Sequence, residues 1–323
     1  MFLPILLTLV GLALILLGAN YLTDGAVAIA KKLKISEMII GLTIVAIGTS
    51  MPEFIVSVIS SAEGAYDISV GNVVGSNIFN ILMILGIVAL IQPITLLKEN
   101  IYRDMPLCVL SSLVLWAACS TNLLDGTAIN TVSRSNGIIM LALFIGFMYI
   151  MIRSGRQGGQ ESQAQSDEPK DKPTPTWLAL IMLIGGFAGL IYGGELFINN
   201  ITTIARMLNI SESVISITIV AAGTSLPELA TSVVAMIKGK NDIALGNVIG
   251  SNIANVFLVL GASATIHPLT LTGIDQIDLG MVSFSTILIL VGALTLKRNR
   301  IDRAEGAFFI ACYIGYMAWL LVK

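Results

Sequence analysis

The chain has 323 residues, with 55% hydrophobic and 12% charged side chains and a formal net charge of −2. Soluble proteins carry about 25% charged residues, so this composition and a mean hydropathy of +0.89 exclude an ordinary soluble domain. Long apolar runs recur from end to end, for example at 2–21, 68–91 and 138–152. We therefore predict an all-α polytopic membrane protein in the cell (inner) membrane.

Hydropathy and polar breaks predict ten membrane-spanning helices. The first apolar run lacks the basic residues that precede a cleaved signal sequence, so we expect it to be a retained span. A polar segment at 154–176 predicts a flexible linker between an N-terminal half, 1–153, and a C-terminal half, 177–323. The predicted helices cover 2–30, 37–61, 68–91, 101–119, 136–153, 177–205, 213–237, 243–265, 279–296 and 304–322.

Lysines and arginines predict the orientation of the helices, because cytoplasmic loops carry an excess of both. With the N-terminus outside, 15 of the 18 basic residues fall on cytoplasmic segments. The three that fall outside are Arg134, Arg206 and Lys323. We predict that both termini lie outside and that the central linker lies in the cytoplasm.

An internal repeat divides the sequence. Residues 41–94 and 216–269 align without a gap at an offset of 175, with 27 identities in 54 positions. Because five predicted spans separate equivalent helices, the second and seventh helices would cross the bilayer in opposite directions. Inverted repeats with interrupted helices that meet near the midplane are typical of secondary transporters. We predict two inverted five-helix repeats.

Each repeat carries Gly-Thr-Ser-x-Pro-Glu inside a predicted helix, the second and the seventh. Proline removes a backbone donor and clashes with the carbonyl four residues earlier, so Pro52 and Pro227 predict that both helices are broken. In a membrane the released carbonyls need a cavity or an ion as partner. Helical spacing places Ala46, Ser50 and Glu53 on one face, which combines carbonyl, hydroxyl and carboxylate oxygens.

Two glutamates, Glu53 and Glu228, lie in these motifs at membrane depth. An ionised carboxylate there costs at least roughly 2.5–3.5 kcal/mol, and no Lys or Arg lies in the interior of either repeat. Bound cations or protonation with a raised pKa are the two remaining means of compensation. Carboxylate, hydroxyl and carbonyl oxygens are ligands that Ca²⁺ and Na⁺ prefer. Neither Cys nor His lies close to the motif, which argues against zinc, copper or iron as the bound metal.

The predicted third and eighth helices add polar side chains to the two repeats. GSNIFN at 75–80 and GSNIAN at 250–255 each place a serine and an asparagine four residues apart on one helical face. Glycines at 71, 75, 246 and 250 form small-xxx-small pairs, which tight helix packing explains as well as an ion path does. Asp24 and Asp104 lie near predicted helix ends, where we expect them to be solvated.

GTSMPE with GNVVGSNIFN, repeated as GTSLPE with GNVIGSNIAN, closely resembles the alpha repeats of the sodium/calcium exchanger family within the calcium/cation antiporter superfamily. The resemblance is greatest to compact prokaryotic members. It implies ten helices around a mid-membrane ion cluster, with the long first and sixth helices sliding against the bundle to alternate access. It also implies Ca²⁺ and Na⁺ as transported ions in a lipid bilayer, with no cofactor and no nucleic-acid partner.

The resemblance further implies six ion ligands from each repeat. Calcium would use chiefly the two glutamates and the threonine carbonyls, and sodium ions would occupy overlapping sites. Some members, including potassium-coupled ones, carry aspartate in the eighth helix where this chain has asparagine, so potassium coupling is not expected. The implied ligands are the Ala46 carbonyl, Thr49, Ser50, Glu53, Ser76 and Asn80, and the Ala221 carbonyl, Thr224, Ser225, Glu228, Ser251 and Asn255.

Several Na⁺ exchanged for one Ca²⁺ is the leading hypothesis, because both ions would compete for one negative cluster. Ca²⁺/H⁺ exchange is the alternative, although proton-coupled relatives usually show Gly-Asn-Ala before the glutamate. An intramembrane hydrolase would need a nucleophile with a base, paired aspartates or metal-binding histidines, whereas the chain has one His and no HExxH. Inverted broken helices suit an alternating-access transporter better than the continuous pore of a passive channel. We therefore expect a transporter and not an enzyme.

Overall fold

A computed structural model of the protein describes residues 2–124, 126, 128–162, 174–208, 223–295 and 299–322. Helices account for most of these residues. In chain order they are α1 (Phe2–Leu33), α2 (Glu37–Thr49), α3 (Met51–Ala62), α4 (Tyr66–Ile91), α5 (Asn100–Cys119), α6 (Thr121–Leu124), α7 (Arg134–Ser162), α8 (Thr176–Met207), α9 (Leu226–Ile237), α10 (Asn241–Ile266), α11 (Gln276–Thr295) and α12 (Arg303–Val322).

The helices confirm the predicted all-helical, polytopic class. Within the described ranges, seven helices are long and apolar enough to cross a membrane, and α2 with α3 forms an eighth span that is interrupted at Ser50. The seven are α1, α4, α5, α7, α8, α10 and α11. α7 continues to Ser162, past its predicted end at 153, and so occupies part of the predicted linker. Ten crossings and their inverted arrangement stay predictions, and the first part of the predicted seventh helix, 213–222, lies outside the described residues.

Four short strands join helix ends in the second half of each predicted repeat. β1 (Ile94–Thr95) pairs antiparallel with β4 (Arg300–Ile301), and β2 (Asn130–Val132) pairs antiparallel with β3 (Leu269–Leu271). Segments of two or three residues are too short to show the alternation that predicts a strand from sequence. They satisfy backbone donors and acceptors where the chain leaves a helix.

The chain divides into two compact units. One comprises residues 1–49 and 148–247, which we call the first unit, and the other comprises residues 50–147 and 248–323, which we call the second unit. Each unit therefore draws on both halves of the sequence.

In the first unit, α1 packs along α8 through glycines that leave no room for a side chain. A Cβ added at Gly18 would lie 2.8 Å from the Gly186 carbonyl oxygen, and one added at Gly11 would lie 2.9 Å from the Gly193 carbonyl oxygen. Glycines seven residues apart lie on nearly the same face of a helix, two turns away. The two long helices therefore meet backbone to backbone along these four glycines, which we call the glycine seam.

In the second unit, α4 packs against α3 and α12, and α5 packs against α11. A hydrogen bond of 2.8 Å joins the hydroxyls of Ser112 in α5 and Thr286 in α11. The spans of α4 and α10 are 72% and 94% buried, whereas the other spans are 22–44% buried. The two helices that carry the GSN motifs are therefore the most buried spans of the described residues.

Two aspartates near helix ends differ in their surroundings. Asp104 is fully buried and pairs with Arg103 at 2.6 Å, so the prediction that it is solvated is wrong. The adjacent guanidinium offsets the charge that burial would otherwise disfavour. Asp24 keeps 44% of its side chain exposed and pairs with Lys238 at 2.5 Å in the first unit.

Candidate cation-binding residues

The Gly-Thr-Ser-x-Pro-Glu motif interrupts the second predicted helix. α2 ends at Thr49 and α3 begins at Met51, with Ser50 between them at φ −80° and ψ 8°. Pro52 stands in the first turn of α3, where N–H groups have no intrahelical partner in any case. Glu53 follows in the same turn and is fully buried. The carboxylate-bearing residue thus lies at the N-terminal, positive end of the α3 dipole.

The second copy of the motif repeats this local geometry. α9 begins one residue after Ser225, which has φ −88° and ψ 8°, and Pro227 again lies in the first turn. Glu228 is fully buried, Ser225 is buried and Thr224 is half-buried. The Ala221 carbonyl, which the resemblance implies as a ligand, lies outside the described residues.

In the second unit, α4 holds the first turn of α3 by side-chain hydrogen bonds. The Ser76 hydroxyl donates to Oε1 of Glu53 at 3.3 Å. The Nδ2 of Asn72 donates to the main-chain carbonyl of Glu53 at 3.2 Å and to Oγ of Ser57 at 3.0 Å. A serine hydroxyl that donates to a carboxylate keeps oxygen lone pairs that a cation can use.

In the first unit, Asn247 of α10 makes the corresponding contacts with the start of α9. Its Nδ2 donates to the Glu228 carbonyl at 3.2 Å and to Oγ of Ser232 at 2.9 Å. Its Oδ1 accepts from the Thr49 hydroxyl at 3.0 Å, and the same hydroxyl lies 3.3 Å from the Ala46 carbonyl oxygen. One asparagine therefore joins Thr49 to Glu228, and the Ala46 carbonyl lies next to the Thr49 hydroxyl.

The remaining predicted ligands lie deep in α4 and α10. Asn80 and Asn255 are fully buried, as is Ser251, and Ser76 is 2% exposed. Asn80 falls in a π-helical segment, Phe79–Ile84, and Asn255 begins another, Asn255–Leu260. Such widened turns occur frequently at functional sites.

Sequence reasoning overlooked four asparagines that organise these contacts. They are identical in the two copies at the offset of 175, and that identity of polar residues within buried helices was the available signal. Two of them bond the first turns of α3 and α9, and the other two bond Asn80 and Asn255. The four are Asn72, Asn77, Asn247 and Asn252.

The motif glycines differ between the copies. A Cβ added at Gly246 would lie 2.8 Å from the Met38 carbonyl oxygen, so α10 and α2 approach closely there in the first unit. At Gly71 and Gly75 a Cβ would meet no described atom within 4 Å. Close packing therefore explains Gly246 and does not explain Gly71 or Gly75.

A sequence profile of the sodium/calcium exchanger protein family matches residues 3–153 and 178–322. The chain belongs to the sodium/calcium exchanger family. This family member is 33% identical over 350 residues to the sodium/calcium exchanger MaX1 of Methanosarcina acetivorans, with 98% of this chain and 97% of the relative covered. It is 38% identical over 277 residues to the inner membrane protein YrbG of Escherichia coli K12, with 83% and 81% covered.

A solved structure extends the likeness to the fold. The sodium-calcium exchanger NCX_Mj, soaked with zero Na⁺ and Ca²⁺, superposes with a TM-score of 0.83 at 32% identity and covers 99% of both chains. The resemblance seen in the repeated motifs is thereby confirmed. The chain is a multi-pass membrane protein of an antiporter family, a transporter class rather than an enzyme class.

Proposed function

We propose that the protein is a Na⁺/Ca²⁺ antiporter of the cell membrane, which moves the two ions in opposite directions by alternating access. The observation that carries this proposal is the agreement with a sodium-calcium exchanger structure over 99% of the chain. Two fully buried glutamates in the broken-helix motifs supply the negative charge that such transport needs.

The ion ligands are the carboxylates, hydroxyls, amides and carbonyls of the repeated motifs. Glu53 and Glu228 carry the charge, and Ser76 orients Glu53 by a direct hydrogen bond. In proteins generally, Ca²⁺ binds oxygen atoms of this kind, in variable numbers, at Ca–O distances of roughly 2.3–2.6 Å. The other proposed ligands are the Ala46 and Ala221 carbonyls, Thr49, Ser50, Asn80, Thr224, Ser225, Ser251 and Asn255.

The finer architecture belongs to the same proposal. Ten crossings, arranged as an N-terminal repeat at 1–153 and an inverted C-terminal repeat at 177–323, would place both termini outside and the segment at 154–176 in the cytoplasm. Corresponding hydrogen bonds support the duplication: Asn72 bonds the Glu53 carbonyl and Asn247 bonds the Glu228 carbonyl, each at 3.2 Å.

Proton coupling is the second candidate for the driving ion. The family match and the solved structure favour sodium, since the family is that of sodium/calcium exchangers and the solved protein is a sodium-calcium exchanger. The motif GTSxPE, which lacks the Gly-Asn-Ala of proton-coupled relatives, favours sodium as well.

Reconstituted liposomes test the proposal. Vesicles loaded with Na⁺ and diluted into Na⁺-free buffer should take up ⁴⁵Ca²⁺, whereas vesicles with equal Na⁺ on both sides should not. Uptake that follows an imposed pH gradient and does not depend on Na⁺ would show that protons, and not sodium ions, are the coupling ion. Calcium flux that needs no counter-ion at all would indicate a channel and contradict antiport.

A further inference from the structure

Four buried asparagines form a crossed set of hydrogen bonds between α4 and α10, wholly within the second unit. Asn77, Asn80, Asn252 and Asn255 are each at most 1% exposed. The Nδ2 of Asn80 donates to Oδ1 of Asn252 at 3.0 Å, and the Nδ2 of Asn255 donates to Oδ1 of Asn77 at 3.1 Å. Aligned residues of the two repeats thus exchange equivalent bonds, which is the pattern of a two-fold relation.

Main-chain bonds fix the orientation of two of these amides. The Nδ2 of Asn77 donates to the Asn252 carbonyl at 3.3 Å, and the Nδ2 of Asn252 donates to the Asn77 carbonyl at 3.2 Å. A main-chain carbonyl can only accept, so each of these side chains must turn its NH₂ group towards it. The Oδ1 atoms of Asn77 and Asn252 are therefore held on the opposite side, where they can only accept.

The orientation of the other two amides follows from the first two. Because Asn80 and Asn255 face acceptor oxygens, they must present their NH₂ groups there and turn their Oδ1 atoms away. No donor among the described residues reaches Oδ1 of Asn80 or Oδ1 of Asn255, although both atoms are buried. A buried carbonyl oxygen without a partner is unfavourable, and a bound cation removes that cost.

We propose that Asn77 and Asn252 are positioning residues that make Asn255 and Asn80 present oxygen, and not NH₂, to the transported cation. The inference rests on the proposed function, because it takes Asn80 and Asn255 as ion ligands. The orienting hydrogen bonds are crossed between the repeats: Asn77 of α4 orients Asn255 of α10, and Asn252 of α10 orients Asn80 of α4. A change in one helix thus alters a ligand supplied by the other.

The crossed arrangement makes a double-mutant cycle decisive. In Na⁺-loaded liposomes, Asn77→Ala should raise the KM for ⁴⁵Ca²⁺ by about 10- to 100-fold, as the loss of a ligand-orienting partner usually does. In an Asn255→Ala background the same substitution should add little, because the amide that it orients is gone. In an Asn80→Ala background the two effects on KM should multiply, because Asn255, the amide that Asn77 orients, is still present. Asn252→Ala should show the reverse dependence.

A merely structural role would give a different pattern. Ser112→Ala, which removes a buried hydroxyl bond to Thr286 in the same unit, should lower the unfolding temperature in detergent and leave the KM unchanged. If Asn77→Ala behaves like this control, or multiplies equally with both ligand variants, the positioning role is overturned. Where an alanine variant does not fold, the serine variant at the same position enters the same cycle.

The same data separate this inference from the proposed function. Wild-type uptake that depends on the Na⁺ gradient supports antiport whatever the asparagine variants do. If Asn80→Ala and Asn255→Ala both leave the Ca²⁺ KM unchanged while wild-type antiport is intact, the asparagines are not ligands and the positioning role falls alone. If wild type shows no Na⁺-driven uptake, the proposed function is itself contradicted.

Discussion

Asn247 accepts a hydrogen bond from Thr49 at 3.0 Å while it donates to the main-chain carbonyl of Glu228 at 3.2 Å. Thr49 ends α2, and Glu228 lies in the first turn of α9, so one amide in the first unit joins residues from the two copies of the broken-helix motif. An asparagine suits this position because it offers a donor and an acceptor in one rigid group. The Oγ of Ser232 accepts a further hydrogen bond from the same Nδ2 of Asn247, at 2.9 Å.

Loss of the Asn247 side chain should therefore destabilise the protein. Asn247→Ala leaves the Thr49 hydroxyl, the Ser232 hydroxyl and the Glu228 carbonyl each without this partner in a buried site. We expect the free energy of unfolding to fall by about 1–3 kcal/mol, measured by thermal or denaturant unfolding in detergent. Asn241→Ala, in the same helix, is the matched control, because the Asn241 Oδ1 accepts from no described donor. Equal destabilisation by both substitutions would contradict the assigned role of Asn247.

The glycine seam between α1 and α8 should be intolerant of even one methyl group. A Cβ at Gly186 would lie 2.7 Å from the Leu22 main-chain nitrogen, whereas a Cβ at the neighbouring Gly185 would meet nothing within 4 Å. Gly186→Ala should lower the free energy of unfolding by about 1–3 kcal/mol through overpacking. It should also slow Na⁺-driven Ca²⁺ uptake, and Gly185→Ala should do neither. If the two alanine variants are indistinguishable, the helices are not in backbone contact at this seam.

The predicted orientation can be tested by thiol labelling in intact cells. Cys108 and Cys119 are buried, so Cys312→Ala gives a background in which the native thiols that remain are shielded from a polar reagent. In that background, a membrane-impermeant maleimide should label Glu63→Cys in intact cells, because the loop after α3 is predicted to lie outside. Lys98→Cys should be labelled only after the membrane is permeabilised. The reverse pattern would invert the topology that the basic residues predict.

Much of the local structure could be predicted because it depends on neighbouring residues. Pro52 lacks an N–H and so predicted the break that the structure shows between Thr49 and Met51. Apolar runs predicted the helices, and the described helices begin and end near the expected residues. The continuation of α7 to Ser162 was not visible, because a polar segment can extend a helix beyond the apolar span.

The rest depends on contacts between segments far apart in the chain. Glu53 and Glu228 were identified from the cost of a buried charge. Asn252, which bonds Asn77, lies 175 residues from it in sequence, and Thr49, which bonds Asn247, lies 198 residues from it. No spacing rule predicts such pairs. The π-helical turns at Asn80 and Asn255 were also unforeseen, because one extra residue per turn leaves no separate hydropathy signal.

Glu53 and Glu228 are proposed to bind the transported ions, and removal of their negative charge is the sharpest test of that role. Liposomes loaded with Na⁺ would be assayed for ⁴⁵Ca²⁺ uptake with wild type, Glu53→Gln and Glu228→Gln, each checked for folding by its unfolding temperature. Glu63→Gln is the control, since Glu63 is an exposed glutamate at the end of the helix that bears Glu53. We predict that either buried substitution reduces uptake to the level of protein-free liposomes, whereas the control transports like wild type. If folded Gln variants still take up Ca²⁺ with a Na⁺ gradient, the two glutamates do not bind the transported ions.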